Sequence, residues 1–140
     1  MSHGFCLGEV DSERLKALAD LLLEHDIAVV TCGAGHYPIP PILALRKVGV
    51  RMAAGSNGVR DTWDPLNNGD ILERAYQLAW HGETRSDPDI ETILGLATHS
   101  GAQIMGTSDY GLDVGCRADL ALVGPRLPPR RSACARHAAW

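Results

Sequence analysis

No apolar run in this 140-residue chain approaches the length of about 20 residues that a bilayer-spanning helix needs, so no membrane span is expected. The opening fifteen residues, MSHGFCLGEVDSERL, hold neither a basic stretch nor an apolar core. They therefore do not read as a secretory signal, and a cytoplasmic location is the default expectation. No two of the four cysteines (Cys6, Cys32, Cys116 and Cys134) stand at the spacing of a structural zinc site. Cys6 and Cys32 lie in apolar surroundings and read as small core residues. Positive charge is not in excess: 13 Lys and Arg face 17 Asp and Glu, a net charge of −4. That balance argues against a general nucleic-acid partner and against an anionic membrane surface. A phosphate loop is missing too. Gly33-Ala34-Gly35 follows a strand-like run, but there is no third glycine and no Gly-Lys-Ser/Thr, and Pro38 and Pro40 interrupt the helix start.

What is present alternates between helix and strand. Residues 11–26, DSERLKALADLLLEHD, form an amphipathic pattern with Leu15, Leu18, Leu21 and Leu22 on one face and Asp11 or Ser12 as the cap. IAVVTC, residues 27–32, has the continuous β-branched character of a strand covered on both faces. Pro40 and Pro41 open a second helix that ends at Gly49, and residues 50–55, VRMAAG, are the next strand. After a polar loop to Gly69, Asp70 caps a helix to Gly82. A further helix is expected from Asp87, as cap, with Pro88 at its first position, to a stop at Gly106. Residues 118–123 read as a short strand. This order predicts an α/β fold with a parallel sheet. Residues 124–140 hold four arginines, three prolines and no acid, and with no apolar face to bury they read as a disordered tail.

In parallel α/β sheets, sites form at the carboxyl ends of the strands. Three such ends are visible: Ser2-His3 if Met1 closes a strand, the GAGHYP loop after Cys32, and the GSNGVRDTW loop after Ala54. His3, His36, Asn57, Asp61 and Trp63 are the polar and aromatic groups that could converge there. A loop histidine serves as ligand, base or oxyanion partner when it has a neighbour, and is a solvated side chain when it has none. Trp63 is open to two readings, a hydrophobic plug or a platform for a planar ligand. His25, His81 and His99 sit in or beside helices and read as surface or packing residues.

Three stretches together resemble the C-terminal part of the amidohydrolase superfamily, in its cytosine-deaminase-like branch. They are SHGFCLGEV (residues 2–10), GVRMAAGSNGVRDTWDPLNNGDILERA (49–75) and LATHSGAQIMGTSDYGLDVGCRADLALV (96–123). The resemblance implies the last three strands and helices of a (β/α)8 TIM barrel over residues 1–106, and the start of a flanking small β-domain over 107–123. It implies hydrolysis of C–N bonds in cyclic amidines, with one divalent metal, zinc or iron, activating water. It places His3 at a sixth-strand histidine that contacts water and substrate, and Trp63, with Asp61 beside it, against the substrate ring. Asn57 stands where the family has a metal-binding aspartate.

That substitution sets the expectation for this chain. Asparagine offers a hard cation no charge and has no basic oxygen to take a proton. The family's His-x-His and His-x-x-Glu ligand motifs are also absent from the sequence. The resemblance therefore implies a chain that holds no metal alone and is inactive in isolation, a fragment of a small-heterocycle hydrolase. Three strands would leave open sheet edges prone to self-association. The alternative is a non-catalytic module that binds a planar heterocycle.

Overall fold

The computed structural model describes residues 1–33, 35 and 37–123. The tail at 124–140, expected to be disordered, and His36 of the second strand-end loop lie outside the described residues. The described elements alternate as the hydrophobic pattern requires: α1 (Ser12–Glu24), β1 (Val29–Thr31), α2 (Ile42–Lys47), β2 (Met52–Ala54), α3 (Ile71–His81), α4 (Asp87–Leu96) and α5 (His99–Ile104). β1 and β2 pair in parallel, with Val29 opposite Met52 and Thr31 opposite Ala54. On the other side of β1, Ser2 bridges to Val30, also in parallel, so residues 1–3 add a third parallel segment. Two backbone bonds hold it, from His3 N–H to the Val30 carbonyl at 2.7 Å and from Val30 N–H to the Met1 carbonyl at 2.9 Å.

Helix starts follow local chemistry. The Asp11 carboxylate accepts from the Arg14 amide, and the Asp70 carboxylate accepts from the Leu72 and Glu73 amides, as an N-cap aspartate should. α2 ends where Gly49 turns left-handed at φ 100°, which lets the Val50 amide reach back to the Leu45 carbonyl. The chain then enters β2 directly.

The core lies between the sheet and its helices. Val29, Leu45, Met52, Leu78, Ile93 and Leu96 are all at most 2% exposed, and Leu7 and Leu22 close its flank. Each such side chain contributes about 1.5–3 kcal/mol by leaving water.

Four expectations need correction. Leu21 is 49% exposed, because it stands about 100° round the helix axis from Leu22; Ala19 takes its place on the buried face. Cys6 is exposed, since it sits in a 3-10 turn (Phe5–Gly8) whose inward residue is Leu7; of the two, Cys32 is the core cysteine. The helix expected from Asp87 to Gly106 is capped one residue earlier, by Ser86, and is broken at Ala97 and Thr98 into α4 and α5. Between them Thr98 leaves the helical region, at φ −129° and ψ −104°. Residues 118–123 have strand composition but form no strand, because no described residue offers them a ladder partner.

Candidate functional site at the strand ends

The loop that leaves β2 at Gly55 returns to α3 at Asp70, and it is shaped by side chains bonding to the main chain. Asn67, 1% exposed, is its centre. Its Nδ2 donates to the Ser56 carbonyl, and its Oδ1 accepts from the Gly69 amide at 3.1 Å. Its own carbonyl accepts from the Arg60 amide at 2.8 Å. One buried carboxamide thereby ties together both limbs of the loop. Asp61 builds the tip: its Oδ1 accepts from the amides of Trp63 at 3.0 Å and Asp64 at 2.8 Å. Its other oxygen packs on Gly58, and a Cβ there would force the carboxylate to move. Asn57 takes a left-handed backbone at φ 68°, a conformation that asparagine tolerates better than most residues.

These constraints place Asn57 and Trp63 on one cavity of about 260 Å³, together with Phe5, Cys32, Tyr37 and Asp64. Its walls are aromatic. Phe5 and Tyr37 stack with ring centroids 5.2 Å apart and planes within 7° of parallel. His3 meets the edge of Phe5 at 5.1 Å, and its Nδ1 is bonded to Ser2 Oγ at 2.8 Å. Trp63 remains 70% exposed, so much of its ring is available to a further contact. The cavity opens where β1 and β2 end, the place where parallel α/β sheets build their sites. A larger apolar cavity of about 470 Å³ lies between α3, α4 and the 107–123 segment, bordered by Leu72, Leu94 and Tyr110, and none of the expected site residues lines it.

Of the residues expected to converge, Asn57 and Trp63 share the cavity, and His3 touches it through Phe5. Asp61 does not line it; its carboxylate shapes the turn that presents Trp63. Phe5, Tyr37, Cys32 and Asn67 are not among the residues the sequence singles out as a site. Phe5 and Tyr37 follow two of the strand ends identified from sequence, and that position is the available signal. Asn67 has none, because a buried asparagine between Leu66 and Asn68 follows no periodic pattern.

Among the described residues no three His, Cys, Asp or Glu side chains come together. A carboxamide stands at the cavity where a hard cation would want a carboxylate. The described residues therefore do not fit a divalent metal. No helix among them is long and apolar enough to cross a membrane.

Comparison with known proteins gives the arrangement a context. No protein-family model matches the chain. The chain is 30% identical over 128 residues to the N-isopropylammelide isopropyl amidohydrolase of Pseudomonas sp. (strain ADP), an overlap of 91% of this chain and 32% of that protein. The crystal structure of N-isopropylammelide isopropylaminohydrolase from Burkholderia multivorans matches with a TM-score of 0.78 and 41% identity, over 84% of this chain and 30% of that one. 5-Methylcytosine deaminase from Klebsiella pneumoniae, liganded with 5-fluorocytosine, matches with a TM-score of 0.73 at 22% identity, over 84% and 32%, a likeness of fold. The chain spans about a third of the length of these relatives.

Proposed function

From the membership of this chain in the amidohydrolase family, matched over part of its relatives' length, we propose that residues 1–106 are the last three strands and helices of a (β/α)8 barrel. Residues 107–123 then begin the flanking β-domain. In this reading the segment at Ser2, β1 and β2 are consecutive barrel strands, and their carboxyl ends form one wall of a site for a nitrogen heterocycle. The complete protein hydrolyses a C–N bond of a cyclic amidine. The sheet's outer edges are where further strands would add, from other polypeptide or from a second copy.

The observation that carries this reading is the convergence of Asn57 and Trp63, from one strand end, with Phe5 and Tyr37, from two others, on a single cavity. Each group has a physical role there. The Phe5 and Tyr37 pair and the exposed Trp63 ring offer faces to a planar ligand. The Asn57 carboxamide offers one donor group and one acceptor, the complement of an amide or amidine edge. Ser2 bonds His3 Nδ1, and Nε2 has no hydrogen-bond partner among the described residues. The family's divalent metal, zinc or iron, has no ligand set among these residues, so the chain by itself performs no C–N hydrolysis. Elemental analysis after incubation with zinc or iron(II) and dialysis tests this. Well under one metal per chain is expected, and one metal per chain would overturn it.

A second reading is favoured by the cavity being assembled by this chain alone: a module that binds a planar heterocycle without turning it over. Calorimetric titration of metal-free protein with cytosine checks it. Heat that disappears in Trp63→Ala supports binding at this wall, and absence of heat in the unmodified protein excludes it.

A further inference from the structure

The loop carries two Asn-Gly pairs, Asn57–Gly58 and Asn68–Gly69, in very different circumstances. Asn-Gly is the dipeptide in which a backbone nitrogen most readily attacks the preceding side chain, because glycine puts no Cβ in the way. The second pair is locked. Asn68 Oδ1 accepts from the Asp70 amide at 2.8 Å, Asn68 Nδ2 donates to Glu73 Oε2 at 2.5 Å, and the Gly69 amide donates to Asn67 Oδ1 at 3.1 Å. Ring closure there would break all three bonds, each with its own cost. The first pair has none of them. Asn57 is exposed, and among the described residues neither its carboxamide nor the Gly58 amide has a hydrogen-bond partner.

We propose that Asn57–Gly58 is a site of spontaneous, site-selective deamidation, which converts the Asn57 carboxamide into a carboxylate on the wall of the strand-end cavity. The Gly58 nitrogen gives its proton to water and attacks Asn57 Cγ. A bond forms between that nitrogen and Cγ, the bond from Cγ to Nδ2 breaks, and ammonia leaves with the proton. The product is a five-membered succinimide. Water then opens the ring. Attack at Cγ yields aspartate with the original backbone, and attack at the Asn57 backbone carbonyl yields isoaspartate, in which the chain runs through the side chain. The balance is one water consumed and one ammonia released, with no change of oxidation state. The aspartate branch gives position 57 the residue that the family reading assigns to it; that consequence rests on the family reading, and the modification does not.

The test is peptide mass analysis of the folded, full chain after ageing in warm, mildly alkaline buffer. Trypsin releases residues 52–60, MAAGSNGVR, and 61–74, DTWDPLNNGDILER, which separate the two pairs. The expected result is a gain of about one dalton in 52–60, split into two chromatographic forms, with an equal amount of ammonia and no change in 61–74. Chain aged in denaturant should change in both peptides, because the bonds at Asn68 are then gone. Asn57→Gln should abolish the gain in 52–60 in the folded protein. Faster change in 61–74 than in 52–60 of the folded chain, or an unchanged 52–60 beside a changed denatured control, would overturn the proposal. Neither outcome depends on whether the chain binds a metal or a heterocycle.

Discussion

Two regions of this molecule reach order by different means. The sheet and its helices are held by apolar contact: Leu78, Met52 and Val29 are fully buried, and few polar side chains share that interior. The loop at 56–69 exposes most of its side chains, Trp63, Leu66 and Val59 among them, and is held by carboxamides and carboxylates bonding to the main chain. Apolar packing is non-directional and tolerates some exchange of shape. A polar pin is directional and fails when one partner is removed. Under the proposed reading the contrast suits two tasks, since a site that stacks a planar ligand needs its aromatic groups uncovered.

The comparison can be sharpened by removing one element at a time. The largest effect is expected from Leu78→Ala, which leaves a cavity at the helix–sheet contact and should destabilise the fold by about 2–5 kcal/mol in urea unfolding. A loss below one kilocalorie would mean that α3 is not part of the core. Asn67→Ala comes next, at about 1–3 kcal/mol, because the Ser56 carbonyl and the Gly69 amide lose their partner. Hydrogen exchange at the Arg60 amide should accelerate in the same variant, and unaltered protection would show that Asn67 is not the pin. Asp70→Ala removes the α3 cap and should cost about 1 kcal/mol, read from the shift in the unfolding midpoint. The smallest effect belongs to the largest side chain: Trp63→Ala should change stability by no more than about 0.5 kcal/mol, because the ring is mostly in water. A larger loss would make Trp63 a structural plug, the other of its two sequence readings.

The apolar region was the legible one. The leucine spacing of α1, the β-branched run of β1, and the caps Asp11 and Asp70 each announce themselves locally, because helix and strand periods are imprinted on neighbouring residues. Misreadings arise where the local pattern does not decide the outcome. An otherwise continuous helical pattern is interrupted at Thr98, and strand composition at 118–123 does not make a strand without a neighbour to bond. The site was legible in part. Strand-end reasoning brings Asn57 and Trp63 together and names Asp61 with them, whose carboxylate shapes the turn that presents Trp63. Phe5 and Tyr37 stack across two loops well apart in sequence, a pairing that no local pattern encodes.

The central claim is that the strand ends form one wall of a heterocycle site but do not supply the groups that perform hydrolysis. Amine release tests it most directly: the 140-residue chain is incubated with zinc or iron(II) and either cytosine or N-isopropylammelide, and ammonia or isopropylamine is followed over time. The account predicts release no faster than in the same solution without protein. Saturable release that needs both chain and metal would contradict it and show that these residues build a working site unaided.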